Sequence, residues 1–172
     1  MAQAWVGMGA NLGGDSAQLR ATLISAWRAI AALPQTRVQA SSSLWRSAPV
    51  DAGGPDYLNA AVCLQTALQP LPLLHALQAV ESVHGRQRPY RNAPRTLDLD
   101  LLWHEAPWSS TAELTLPHPR LQQRAFVLQP LLEMDAALAW PGLSLLRAHL
   151  PAVADQALEK LPAASDWPPA PA

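Results

Sequence analysis

Hydrophobic and polar positions along this chain repeat with two periods, one suited to strands and one to helices. Residues 4–10 (Ala-Trp-Val-Gly-Met-Gly-Ala) form a short apolar run, and Asn11-Leu12-Gly13-Gly14-Asp15 is a turn signal, so a buried strand running into a loop is predicted. Over residues 16–33, Leu19, Leu23, Ala26, Trp27 and Ile30 recur at helical spacing, with Asp15 or Ser16 available as the cap and Pro34 as the stop. Residues 38–48 predict a second strand and residues 57–68 a third, separated by a Gly/Pro-rich loop over 49–55. A second helix is predicted over 70–85, with Leu73, Leu74, Leu77, Val80 and Val83 inward and Gly85 as its stop. An arginine-bearing loop follows, then a strand over 96–103. Beyond it lie a Trp/Ser-rich link, a short strand Leu114-Thr115-Leu116, a helix from Pro119 towards Met134 and a last short helix over 143–150. The order β-α-β-β-α-β is the split β-α-β pattern of ferredoxin-like folds. The expected class is therefore α+β, an antiparallel sheet with an extra C-terminal strand and helices. From Pro162 the chain is rich in Pro and Ala, which predicts one domain over 1–161 and a disordered tail over 162–172.

One strand departs from ordinary polarity. In Arg95-Thr96-Leu97-Asp98-Leu99-Asp100-Leu101-Leu102, alternation sends Asp98 and Asp100 to one face and the leucines to the other. Two carboxylates about 7 Å apart along a strand repel unless something positive lies between them. A pair of Mg²⁺ ions, typically ~3.5–4 Å apart, meets that need. The other reading is a strand with one face in solvent. Arg86, Arg88, Arg91 and Arg95 lie just upstream, on a segment that Pro89, Asn92 and Pro94 keep from being helical. Guanidiniums beside paired acids suit a metal-bound polyphosphate.

Other residues carry two readings each. Asn59, inside the third strand, either reads the edge of a flat heterocycle or is a satisfied structural amide. Tyr57 shares its face, and Phe126, the only phenylalanine, either stacks on a ring or packs in the core. Gln78 and Glu81, one helical turn apart, either touch a ribose or form a solvated face. His118 is fixed between Pro117 and Pro119 in a rigid extended segment. Arg124 and Phe126, two residues apart, are not expected to share a helical face.

Composition narrows the field. A net charge of −1 argues against general nucleic-acid binding. The single cysteine, Cys63, lies in an apolar run and reads as a buried structural thiol. There is no basic leader and no apolar stretch near the ~20 residues of a membrane helix, so a cytoplasmic protein without membrane partners is expected.

The stretch from Arg91 to Leu102 resembles the signature of the 6-hydroxymethyl-7,8-dihydropterin pyrophosphokinase family of folate biosynthesis. Further segments are similar in order and spacing: Gly9-Ala10-Asn11-Leu12-Gly13, residues 55–62, Leu116-Pro117-His118-Pro119-Arg120 and residues 124–131. The resemblance covers about residues 5–150. It implies ATP as co-substrate, two Mg²⁺ ions and transfer of a diphosphoryl group to the pterin hydroxymethyl oxygen, with release of AMP. By that resemblance Asp98 and Asp100 hold the metals, and Arg86 and Arg95 grip the polyphosphate with Arg88 and Arg124 assisting. Gln78, Glu81, Leu101, Thr115 and His118 line the nucleotide pocket. Tyr57 and Phe126 sandwich the pterin, Asn59 bonds its edge, and Ser47, Ala48 and Val50 frame it. A monomer with small-molecule partners is expected. The chain departs from the family's pattern at Ala10, Asn92, Glu113 and Pro119, where serine, tryptophan, arginine and tyrosine are often found. Two rival readings are a palm-type two-metal nucleotidyltransferase and a non-catalytic ligand-binding module of the same fold.

Overall fold

The computed structural model describes residues 1–11, 15–48, 56–84 and 97–170. Its elements in chain order are β1 (Ala2–Ala10), α1 (Ser16–Ala31), β2 (Thr36–Ser41), β3 (Trp45–Ser47), β4 (Tyr57–Thr66), α2 (Pro70–Val83), β5 (Leu97–His104), α3 (Ala125–Met134), β6 (Ala139–Trp140), β7 (Ser144–Leu145) and β8 (Leu158–Lys160). Short 3-10 turns occupy Leu121–Gln123 and Leu146–Val153. The main sheet runs β5-β1-β4-β3-β8, with β2 also on β4, and every described pairing is antiparallel. The α+β, ferredoxin-like expectation matches this architecture.

Strand alternation assigns each face of the sheet to a different layer. Ala4, Val6 and Met8 of β1, Leu58, Ala60 and Val62 of β4, and Leu97, Leu99 and Leu101 of β5 share one core with Leu19, Leu23 and Ile30 of α1 and Leu73, Leu77 and Val80 of α2. The opposite face, with Trp5, Ala61, Cys63 and Leu102, packs under Leu121, Leu128 and Leu131 and the C-terminal residues Trp140, Leu146 and Val153. Burial pushes the Cys63 thiol up to about 11, with Glu105 adding to the rise, so it stays protonated and inert. Asp15 caps α1, its side chain accepting from the Gln18 N–H at 3.0 Å. Pro70 opens α2 at a position where a missing N–H costs nothing.

Several expectations need correction. The strand predicted over 38–48 is two strands, because buried Ser42 interrupts it. The Ser42 N–H donates to the Ala61 carbonyl and its Oγ accepts from the Ala61 N–H, both at 2.9 Å, so a side chain replaces one rung of the ladder. Leu114-Thr115-Leu116 is no strand. Its N–H groups go to hydroxyls instead, Leu114 to Thr111 Oγ1 and Leu116 to Ser110 Oγ, each at 3.2 Å. Val83 points outward, 82% exposed, whereas Glu81 is buried. The helix expected after Pro119 is a 3-10 turn and then α3, with extended Arg124 between them. The last short helix is the 3-10 turn Leu146–Val153.

The tail expected to be disordered from residue 162 is anchored at Trp167, with most of its described residues exposed. Trp167 is buried and donates from Nε1 to the Ser42 carbonyl at 2.9 Å, Asp166 pairs with Arg20 at 2.9 Å, and the Leu161 N–H reaches the Leu44 carbonyl. Pro/Ala composition hides a single large aromatic anchor, whose burial outweighs the weak propensity around it.

Candidate active site

The second face of the sheet is only partly covered, and the uncovered part is a cleft of about 580 Å³, a size suited to small-molecule ligands. Its floor is set by register. Gly9 of β1 lies between Asn59 of β4 and Asp98 of β5, and Gly7 lies between Ala61 and Asp100. A Cβ at residue 9 would stand 3.4 Å from Asn59 Oδ1, so the glycine keeps the floor low beside that amide. Ser47 and Ala48 form one wall, with Tyr57 beside them, and Arg120, Gln123, Arg124, Phe126 and Val127 form the other.

Asn59 is 2% exposed, and its Nδ2 donates to Ser47 Oγ at 2.8 Å and to the Trp45 carbonyl at 3.4 Å. Its orientation is thereby fixed, with the amide nitrogen committed to β3. Arg124 precedes α3 in extended backbone, and its guanidinium carbon lies 5.6 Å from the centroid of the Phe126 ring. The two share no helical face, because Arg124 is extended rather than helical, yet both line the cleft. A cation–π contact holds them on one wall.

Ser47, Ala48, Tyr57, Asn59, Asp98, Asp100, Arg124 and Phe126 therefore line one cleft. Val50, Arg86, Arg88 and Arg95 lie outside the described residues. Gln78, Glu81, Leu101, Thr115 and His118 are not in its lining. Leu101 is core, and Thr115 Oγ1 bonds the Thr111 carbonyl at 3.1 Å. Glu81 is not on a solvated face. It is buried, and its Oε2 accepts the Leu99 N–H at 2.9 Å, between the two aspartates on the edge strand. The His118 N–H donates to the Leu102 carbonyl at 2.9 Å and its Nδ1 accepts from the Arg120 N–H at 3.2 Å, leaving the proton on Nε2. Burial holds this imidazole below its ordinary range against the pull of Asp100, and Arg124 and Arg120 add to the lowering. Neutral His118 is then a hydrogen-bond donor rather than a cation. Glu113 bonds His75 at 2.6 Å.

Sequence reasoning missed Gly7, Gly9, Arg120 and Gln123. Alternate glycines inside a strand were the available signal for the first two, since such a pattern marks close approach of a ligand or backbone. Arg120 and Gln123 carry no signal beyond their neighbourhood.

Asp98 and Asp100 are half-buried and offer hard oxygen donors above a glycine floor. Among the described residues no group of three or more His, Cys, Asp or Glu gathers to cage an ion. Two carboxylates with water and substrate phosphates completing the shell fit Mg²⁺, which favours that mixture.

Paired acids on a sheet, opposite arginine and beside an aromatic wall, have the makings of a metal-assisted transferase acting on phosphate groups of a small molecule. Comparison with known proteins narrows that class. The family described as 7,8-dihydro-6-hydroxymethylpterin-pyrophosphokinase (HPPK) matches residues 5–136. The 2-amino-4-hydroxy-6-hydroxymethyldihydropteridine pyrophosphokinase of Pseudomonas aeruginosa is 40% identical over 161 residues, covering 93% of this chain and 97% of that protein. The Haemophilus influenzae enzyme of the same name is 36% identical over 162 residues, covering 94% and 99%. A crystal structure of HPPK-DHPS in complex with substrates superposes with a TM-score of 0.68 at 10% identity, over 90% of this chain. The chain spans 43% of that longer protein, and at such identity the likeness speaks for the fold. The chain belongs to the 7,8-dihydro-6-hydroxymethylpterin-pyrophosphokinase family. Its activity is that of a pyrophosphokinase of folate biosynthesis with ATP as co-substrate, and nothing in the comparisons favours the nucleotidyltransferase or the non-catalytic module.

Proposed function

We propose that the cleft binds the pterin and ATP side by side and transfers a diphosphoryl group from ATP to the pterin hydroxymethyl oxygen, releasing AMP. The observation that carries this reading is the register: Asn59 and Asp98 both flank Gly9, two strand spacings or about 10 Å apart. That leaves room for a flat ring between the amide and the carboxylates. Asn59, Tyr57, Phe126, Ser47 and Ala48 form the pterin half, and Val50 is assigned to the pterin by the family resemblance alone. Tyr57 and Phe126 bracket the ring, and the Asn59 amide, already oriented by Ser47, hydrogen-bonds its edge.

The nucleotide half is formed by Asp98, Asp100, Arg120 and Arg124, and the nucleotide reaches beyond the cleft's lining towards His118, Gln78, Thr115 and Leu101. Arg86 and Arg95 grip the polyphosphate, and Arg88 and Arg124 assist. Asp98 and Asp100 would hold two Mg²⁺ ions, which would supply charge neutralisation for the polyphosphate and a lower pKa for the attacking hydroxyl. His118 donates from Nε2 to a phosphate oxygen, and being neutral it does so without competing for the metal ligands. The aromatic wall and the buried amide fix the hydroxymethyl group in line for attack, so positioning and charge neutralisation supply most of the rate. The protein acts as a cytoplasmic monomer without nucleic-acid or membrane partners. Among the described residues no helix is long and apolar enough to cross a membrane.

Incubation with Mg²⁺-ATP and the hydroxymethyl pterin is expected to give AMP and the pterin diphosphate in equal amounts, resolved by anion-exchange chromatography. Asp98→Asn is expected to abolish this turnover and keep the wild-type circular dichroism spectrum. ADP as the product, or full activity in Asp98→Asn, overturns the assignment.

A further inference from the structure

The pterin half of the cleft depends on two elements that are unlikely partners: β3, a strand of three residues, and the first turn of α3, which carries Phe126. A strand that short has little stability of its own. It nevertheless bears Ser47, which orients Asn59, and Trp45, whose carbonyl takes the second Asn59 contact.

One carboxylate joins these elements. Glu133 Oε1 accepts from the Ser43 N–H at 2.9 Å and from Trp45 Nε1 at 3.0 Å. Its Oε2 accepts from Ser43 Oγ at 2.5 Å and meets Lys160 Nζ at 3.2 Å. Glu133 stands seven residues after Phe126 on α3, two helical turns on, so both emerge from the same side of the helix. Lys160 belongs to β8, which pairs with β3 from its outer side, Trp45 opposite Lys160 and Ser47 opposite Leu158. Downstream of β8, the Leu161 N–H reaches the Leu44 carbonyl, Trp167 Nε1 reaches the Ser42 carbonyl, and Asp166 pairs with Arg20. The C-terminal segment thus grips the chain on both sides of Ser43.

We propose that Glu133 is a positioning residue for the pterin: together with the C-terminal strap over residues 158–167, it fixes the spacing between β3 and α3 and so the seat formed by Ser47, Asn59 and Phe126. The proposal rests on the assignment of that half of the cleft to the pterin. Burial alone would raise the Glu133 carboxyl, but donation from Ser43, Trp45 and Lys160 brings it net below its ordinary value, as expected for a carboxylate that works ionised. None of these groups lines the cleft between the aspartates and Arg124. The nucleotide half should therefore be indifferent to them.

The test is steady-state kinetics with each substrate varied in turn, on the full chain. Glu133→Ala is expected to raise the pterin KM about tenfold, short of the roughly hundredfold that a 1 Å misplacement can cost. The ATP KM and kcat stay within about twofold, the scatter of a surface change that misplaces nothing. Glu133→Gln keeps an acceptor for Trp45 and should rescue part of the loss. Lys160→Ala and Trp167→Ala, which spare the carboxylate, should each move the pterin KM in the same direction by a smaller factor and serve if Glu133→Ala does not fold. Asn59→Ala is the control for the pterin seat. A raised pterin KM in Asn59→Ala with wild-type values in the Glu133, Lys160 and Trp167 variants overturns the clamp alone. An unchanged pterin KM in Asn59→Ala overturns the assignment of the seat, and the clamp's task with it. Equal rises in both KM values, or a loss of melting temperature with no change in either, make Glu133 merely structural and also overturn the proposal.

Discussion

Glu81 is the residue whose role changes most once its surroundings are known. β5 pairs with β1 on one side, and on its other side the buried Glu81 carboxylate takes the Leu99 N–H, midway between Asp98 and Asp100. An edge strand carrying two like charges needs its backbone held, and a charge-assisted hydrogen bond to the intervening N–H does that. Glu81→Ala strands a buried donor, which costs roughly 1–3 kcal/mol, and loosens the aspartates. The expected outcome is a lower melting temperature together with a lower kcat, while Glu81→Gln, which keeps an acceptor oxygen, retains most of both. A lowered kcat at an unchanged melting temperature in Glu81→Ala would instead favour direct contact with the nucleotide. The aspartates themselves were legible in the sequence because strand alternation is a strict rule. Glu81 was not, because a helix face read from spacing does not reveal that a neighbouring strand will cover it. The same limit applied to Arg124, whose approach to Phe126 depends on one extended residue between two helical segments.

At the scale of elements, the positions of β1, α1, β4, α2 and β5 followed from apolar periodicity and from Asp15, Pro34 and Pro70 at their ends. The break between β2 and β3 did not, since Ser42 looks like any strand serine until its Oγ is seen to replace a backbone group. That break matters for pH dependence, because it creates the Ser43 donors that hold Glu133. A carboxyl whose folded pKa is depressed adds stability above the ordinary glutamate range and loses it as pH falls through the folded value. Melting temperatures of wild type and Glu133→Gln are therefore expected to differ most near neutrality and to converge as pH drops below about 4.5, the ordinary glutamate value. A difference that persists unchanged into acid would show that the Glu133 charge contributes nothing to the clamp.

For the molecule as a whole, two layers cover the sheet unequally. α1 and α2 lie against one face, whereas α3 and the C-terminal turns leave part of the other as the cleft. The two glycines of β1 keep the floor of that open part low, and the strands on either side supply an amide and an acid pair. The β-α-β-β-α-β order was legible from pattern alone, but the C-terminal strap was not: composition averages over Leu161 and Trp167, and long-range anchors leave no local period. The central claim is that one cleft has two separable halves, a pterin seat around Asn59 and a nucleotide seat around Asp98 and Asp100. Isothermal titration calorimetry of each ligand against each variant tests it most directly, using the pterin and a non-hydrolysable Mg²⁺-ATP analogue. Asn59→Ala should lose pterin affinity and keep the nucleotide, and Asp98→Asn should do the reverse. Loss of the same ligand in both variants, or of neither, would contradict the division of the cleft.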